Sequence, residues 1–416
     1  MVQRFVALVI DQGASFRCAA AALDLLGPPM GPEQASPAWS TGRLWLLRIG
    51  LAALVGPKVI ADDWIWMIDH SIQIGPCKCL VILGLRLSAF TIARPLHHQD
   101  MELIDLVPMD SATKQTVAAC LEAAVAKTGA PRAILSDHAA DLHGAIEIFR
   151  GQHPETGELY DIKHKAACLL KALLEGDESW KRFTGLAAQA KVALQQTGAA
   201  CLVPPSQRSK SRFMNLSELV RWGRQTLALW VDPARLERLP GASDLVRDKL
   251  GWLAEFREAL AEWSAYHELI EGALDFVRSR GLYAGAGRDL AEALPAAAEG
   301  AARQLRQRLI AFVTAESAQA RVGEVLPGTT EVLESCFGRL KALEDGQSQS
   351  GFTGLVLSLG AMVSTRTAEA IGAALERCRV HDVLDWCREK LGESVQSLRR
   401  RAYAEPKGAT DPGWVG

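Results

Sequence analysis

Residues 64–69 read Trp64-Ile65-Trp66-Met67-Ile68-Asp69, a run of aromatic and apolar residues that ends on a carboxylate. Aromatic and β-branched residues fit a pleated, buried surface, so this run predicts a strand with an acid at its end. Working outward, Cys77 to Leu85 and Glu102 to Val107 are further strand-type runs, set apart by Gly and Pro signals. An amphipathic helix follows over 112–127, then the short buried-type strand Ala133 to Ser136, which leads directly into Asp137. A short helix through Phe149 and a strand over 159–162 complete the series. Three antiparallel strands, helix, strand, helix, strand is an α+β pattern with a mixed sheet.

Two carboxylates, Asp69 and Asp137, thus close the first and fourth strands. If those strands are neighbours, the acids converge at one edge of the sheet. Two carboxylates held close raise each other's pKa unless a cation neutralises them, and hard oxygen donors suit Mg²⁺. The simpler reading is that each Asp caps a strand end or turn.

Residues 1–55 read as helices broken by a turn at Gln12-Gly13-Ala14, with Ser15 as N-cap of an Ala-rich stretch from Phe16 to Leu26. That is a helix-turn-helix pattern, in which Arg17 would face a DNA groove; a plain helical hairpin has the same signature. Residues 176–325 carry almost no strand signal and many helix formers. Within them Leu253, Phe256, Leu260, Trp263, His267, Ile270, Leu274 and Val277 recur at steps of three and four, the seam of a long packed helix. His267 on that seam reads as a partly buried core histidine. Arg208, Lys210 and Arg212 stand in a loop with no acid among them, either a clamp for a phosphate backbone or a solvated loop.

Composition bounds what remains. The 416 residues are 49% hydrophobic and 23% charged, with 46 Lys+Arg against 48 Asp+Glu and a formal net charge of -2. A histone-like polycation is excluded, so any nucleic-acid binding must come from local basic patches. The nine cysteines are scattered without a CxxC pair, which predicts reduced thiols in a cytoplasmic protein. The start of the chain lacks the h-region of a signal peptide, and no run reaches the length of a membrane span. The histidines, His70 and His138 after the two acids among them, have irregular spacing and no zinc signature.

The order of these pieces resembles the DDE transposases with an RNase H-like catalytic domain and an all-helical insertion, the Mutator/hAT-like group. WIWMIDHSIQIG (residues 64–75), the second strand ending LGL, and LSDHAADLHGAI (135–146) carry the likeness. It implies that Asp69 and Asp137 are the first two acids of a triad. Thr329-Thr330-Glu331-Val332-Leu333-Glu334-Ser335 resembles the stretch that carries the third, with Glu334 at the acid's position. This chain has Glu331 where that pattern has Asn and Ser335 where it has Arg, so Glu331 is a rival ligand on the same helical face. Asp161-Ile162-Lys163-His164 fits the C/DxxH motif of the group, a polar pair for substrate; a helix-capping Asp is the alternative.

The resemblance implies a bacterial enzyme that binds double-stranded transposon ends and cuts and joins DNA with two Mg²⁺ ions per site, Mn²⁺ being a substitute. A homodimer or larger assembly would pair the ends. It further implies an aromatic platform in the insertion for a flipped base, for which Trp222 is the candidate, with Trp180 and Trp230 as competitors and core packing as the plain alternative. The expected divisions are 1–55 for the DNA-binding helices, 60–175 for the first part of the catalytic domain, 176–325 for the insertion, 326–405 for the second catalytic part, and 406–416 for a disordered tail. A domesticated DNA-binding relative that no longer cuts, or an RNase H-like nuclease that never joins, are the other functions this order allows.

Overall fold

A computed structural model describes residues 1–26, 37–74, 77–92, 94–207, 216–231, 235, 238, 243–296, 299–345, 353–392 and 395–404. In chain order the elements are α1 (Val2–Ile10), α2 (Phe16–Leu26), α3 (Trp39–Val55), β1 (Trp64–Ile74), β2 (Cys77–Arg86), β3 (Glu102–Met109), α4 (Lys114–Thr128), β4 (Ala133–Ser136), α5 (Ala140–Gln152) and β5 (Gly157–Tyr160). Then come α6 (Ile162–Leu174), α7 (Glu178–Leu194), α8 (Leu216–Val231), α9 (Ser243–Leu250), α10 (Arg257–Arg280), α11 (Ala286–Ala293) and α12 (Gly300–Ser317). The chain closes with α13 (Glu331–Asp345), α14 (Ser358–Val363), α15 (Ala368–Arg377), α16 (Val380–Leu391) and α17 (Val395–Tyr403). It divides into two compact units, residues 1–159 with 330–416, and residues 160–329.

The fold is α+β, built on a five-stranded sheet of order β3-β2-β1-β4-β5. β1 pairs antiparallel with β2 and parallel with β4, and β2 pairs antiparallel with β3, so the sheet is mixed. Side chains alternate along a strand, and the sequence of β1 divides accordingly. Trp64, Trp66 and Ile68 join Leu80, Ile82 and Ile104 in a core closed by Val117 and Leu121 of α4 and Leu142, Ile146 and Phe149 of α5. Ile65 and Met67 point to the other face and are equally buried, because α13 packs on β1 from that side while α3 and α14 cover β3. A strand covered on both faces reads as an unbroken apolar run, which is why WIWMI shows no polar alternation.

The N-terminal helices belong to this same unit. Gly13 turns the chain with φ +68°, a conformation an L side chain adopts only with strain, and Ser15 Oγ accepts from Cys18 N at 3.2 Å to start α2. Phe5 stacks on Phe16 at 6.4 Å and meets Trp45 edge-on at 5.9 Å, tying α1, α2 and α3 together. α3 approaches α14 so closely that a Cβ on Gly50 would lie 1.8 Å from the Leu357 carbonyl oxygen, and one on Gly360 would lie 2.5 Å from the Gly50 oxygen. Arg48 of α3 donates from Nε to the Cys378 carbonyl at 2.7 Å, satisfying a carbonyl at the end of α15. The described residues 1–26 and 37–55 therefore form part of the sheet unit's packing and not a detached arm.

The second unit is helical. The expected seam lies over a 3₁₀ turn (Gly251–Phe256) followed by α10, and its apolar members from Leu253 to Val277 are buried. Trp180 meets Trp263 edge-on at 4.9 Å, and Phe183 packs on Trp263 at 5.1 Å and Phe256 at 5.4 Å. The strand expected at 159–162 is instead β5 at Gly157–Tyr160, because Asp161 accepts from His164 N at 2.8 Å and so begins α6. Among the described residues no helix is long and apolar enough to cross a membrane.

Candidate active site on β1 and beyond β4

β1 and β4 run side by side with Ile65 opposite Ala133, Trp66 opposite Ile134 and Met67 opposite Leu135. Asp69 and Asp137 each lie two residues beyond the last pair; β1 stays paired with β2 and runs on to Ile74, so Asp69 lies inside β1 and not at its end as expected, while Asp137 directly follows the last residue of β4. The period of two puts Asp69 on the face of Ile65 and Met67, the face against which α13 packs. The first turn of α13 carries both Glu331 and Glu334, started by the Thr330 carbonyl, which accepts from Leu333 N at 2.8 Å and Glu334 N at 3.2 Å. First acid, second acid and the helix of the third are thus on elements in mutual contact or register.

The two glutamates face different surroundings. Glu331 is half-buried and lines a cavity of about 610 Å³ with His97, His98, Ser335, Arg339 and Arg366, in which His98 Nε2 and Ser335 Oγ are 3.0 Å apart. Glu334 is exposed and lies outside that lining. Burial and the charges of Arg339 and Arg366 hold the His98 imidazole below its usual range.

Behind the acids, on the α4/α5 face, His70 Nε2 and Lys78 Nζ each lie 3.1 Å from Asp141 Oδ2. Burial depresses the His70 imidazole, outweighing the opposing pull of Asp141 and Asp137. Asp141 shows the reverse balance: burial raises its carboxyl, but the Lys78 hydrogen bond and the His70 and Lys78 charges bring it below the ordinary value. β4 ends at Ser136, Asp137 Oδ1 accepts from Ala139 N at 2.9 Å, and His138 takes φ +56°. Among the described residues, the donor set whose ligand atoms all lie within 4.8 Å is His138, His143 and Glu158. Its spacing in sequence matches no regular motif, so the sequence offered only His138 as a point of interest; the fold supplies the rest.

The other sequence-expected residues distribute as follows. Arg17 is exposed in the first turn of α2, its guanidinium 5.2 Å from the centre of the Trp39 ring. Asp161, 1% exposed, is the N-cap of α6, and the His164 ring lies tilted over Tyr160 at 6.0 Å. Trp222 is 9% exposed, donates from Nε1 to the Leu202 carbonyl at 2.9 Å, and packs on Phe183 and Trp252 at 6.5 and 6.2 Å. Trp180 is buried in the same cluster and Trp230 is half-buried. Arg208, Lys210 and Arg212 lie outside the described residues, as do 406–416. No protein-family model and no curated protein matches the chain.

Proposed function

We propose that this chain is a DDE-type DNA transposase with an RNase H-like catalytic domain, binding transposon ends and carrying out strand cleavage and strand transfer. One observation carries the reading: the parallel register of β1 and β4 that sets Asp69 level with Asp137, beside the strand on which the helix of Glu334 packs. The strand order β3-β2-β1-β4-β5, with the first three antiparallel, supports the RNase H-like reading, and the helical unit at 160–329 supports an insertion between second and third acids.

Three carboxylates are hard oxygen donors suited to Mg²⁺, and Asp69, Asp137 and Glu334 would be the residues that hold it. Such ions, when bound, activate the attacking oxygen and stabilise the leaving one. The chain's own contribution is positional. The buried core under β1 fixes the Asp69 backbone, the Ala139 hydrogen bond orients Asp137, and α13 presents Glu334 toward solvent, where a duplex has access. Double-stranded DNA is the partner, with Arg17 on α2 reading the end and the Arg208, Lys210 and Arg212 loop holding phosphates; a dimer in the cytoplasm pairs the ends. Asp161 and His164 serve the substrate indirectly, through the start of α6.

The test is a supercoiled plasmid carrying the element's ends, incubated with Mg²⁺ and the purified chain. Cleavage and joining by the wild type, lost in Asp69→Asn, Asp137→Asn and Glu334→Gln with end binding retained, is the expected result. End binding without any cleavage by the wild type would favour a domesticated DNA-binding protein, and cleavage without joining a nuclease.

A further inference from the structure

We propose that His138, His143 and Glu158 form a metal site of the zinc class, separate from the carboxylate triad, which ties the loop after Asp137 to β5. The proposal does not depend on the transposase reading. The three donors come from three elements: His138 from the β4–α5 loop, His143 from the second turn of α5, and Glu158 from β5. His138 Nε2 is 3.3 Å and His143 Nδ1 2.6 Å from the same carboxylate oxygen, Glu158 Oε1, and all three ligand atoms fall within 4.8 Å. Two bonds of about 2.0–2.1 Å at a tetrahedral angle put ligand atoms about 3.3 Å apart, so an ion needs the two stacked rings to turn their nitrogens toward one point and an outward shift of His143. Its side chain is 43% exposed and has room for that shift.

The surroundings orient the set. Arg150 Nη1 lies 3.6 Å from Glu158 Oε2 while its Nε donates to the Thr156 carbonyl at 2.9 Å, which leaves Oε1 turned toward the imidazoles. The Glu158 side chain is only 9% exposed. His138 keeps φ +56°, rare for a residue with a Cβ, with its N–H donating to Ser136 Oγ at 3.2 Å; a strained backbone of this kind persists only where the neighbourhood holds it. The two rings lie nearly parallel, 4.7 Å apart. Two imidazole nitrogens and one carboxylate are a Zn²⁺ donor set with one position left for water, whereas Mg²⁺ takes oxygen. Because His138 directly follows Asp137, an ion here would make the backbone of the second acid stiffer without touching substrate.

The experiment is metal uptake by the full chain after chelator stripping, read by elemental analysis after titration with Zn²⁺, with Co²⁺ as the spectroscopic probe. One Zn²⁺ per chain is expected beyond any thiol-bound metal, lost in both His143→Ala and Glu158→Gln and retained in Asp69→Asn. Co²⁺ should give the visible bands of a tetrahedral nitrogen/oxygen site without thiolate charge transfer. Zn²⁺ should raise the thermal midpoint of the wild type and leave that of His143→Ala unmoved. Because His143 is only partly buried, that variant should fold, with a metal-free midpoint lowered by the lost Glu158 bond, so the readout is the shift that Zn²⁺ adds to each protein. Uptake equal in wild type and His143→Ala, or no uptake by the wild type, overturns the proposal and leaves a hydrogen-bonded histidine–glutamate cluster. Loss of the same ion in Asp69→Asn would overturn its separation from the triad. Failure of DNA cleavage alone would leave this site standing.

Discussion

The paired strands β1 and β4 and the aromatic cluster of the helical unit handle their conspicuous residues in opposite ways. In the sheet, Asp69 sits inside β1 and Asp137 just past the end of β4, and the period of two decides which face Asp69 presents. In the helical unit Trp180, Trp222, Trp252 and Trp263 gather with Phe183 and Phe256 into one packed body. A carboxylate on or just beyond a strand is defined by its position, which a register can test. An aromatic on a helix is defined by its volume, and a core and a stacking platform ask for the same volume.

The largest effect should come from the sheet. Replacing Asp69, Asp137 or Glu334 by the matching amide removes a charge that several kcal/mol of transition-state stabilisation rests on, which at about 1.36 kcal/mol per factor of ten is a loss on the order of 10³-fold. Plasmid cleavage rates at saturating Mg²⁺ measure it, while thermal midpoints should hardly move, since Glu334 is exposed, Asp137 lies in the loop after β4, and the amide at Asp69 keeps the shape of the carboxylate. A dead Glu331→Gln beside an active Glu334→Gln would move the third acid one turn back, into the cavity lined by His97 and His98.

Trp222 inverts that signature. Its ring packs between Phe183 and Trp252 with Nε1 bound to the Leu202 carbonyl, so Trp222→Ala should cost about 3–5 kcal/mol of stability, in the range of large-to-small aromatic substitutions. Chemical denaturation is the measurement. If stability is unchanged while cleavage falls and an abasic site at the DNA end restores it, the ring is a stacking platform and the contrast between the two regions fails.

How much of this was legible follows from the same contrast. WIWMID, CKCLVILGL and AILS each became a strand because a doubly covered strand is a continuous apolar run, and Ser15 began α2 because its hydroxyl accepts from Cys18 N. β5 lay two residues early since Asp161 serves a helix cap, a role its one-letter context shares with a strand end. The histidine–glutamate cluster was not legible. His143 and Glu158 are fifteen residues apart and meet only because α5 packs back over the sheet next to β5. Gly50 and Gly360 were equally silent, since what makes them necessary is the carbonyl of a helix far away in sequence.

That close approach gives the third effect in size. A methyl at residue 50 would meet the Leu357 carbonyl oxygen at 1.8 Å, backbone that has no rotamer to yield, so Gly50→Ala should destabilise by about 1–3 kcal/mol as over-packing does. Gly372→Ala, on the nearby α15 with nothing within 4 Å of the added Cβ, is the matched control and should be neutral or slightly stabilising through helix propensity. Equal midpoints for the two would mean that α3 and α14 separate easily, and that the described residues 1–26 and 37–55 are less firmly part of the sheet unit than their packing requires.

The smallest effect tests whether the helical unit has a titrating element of its own. Burial holds the His267 imidazole below its ordinary range; Glu271, 3.9 Å away, and Glu268 pull it up, while Arg221 pushes it down. The unfolded chain therefore binds a proton near pH 6.5 that the folded chain takes up only at lower pH, and in that window the unfolded state carries more protons. Stability from this residue is fully present above about pH 6.5 and is lost as pH falls through the folded value. His267→Gln, which cannot titrate, should flatten the acid side of the stability profile and leave the neutral side as it is. Midpoints of both proteins at about pH 5.5 and about pH 7.5 are enough to see it. An unaltered acid-side slope would mean that the partly exposed ring is solvated well enough to titrate normally, and that the acid sensitivity of the chain comes from the partly buried histidines of the sheet unit, His70 and His98.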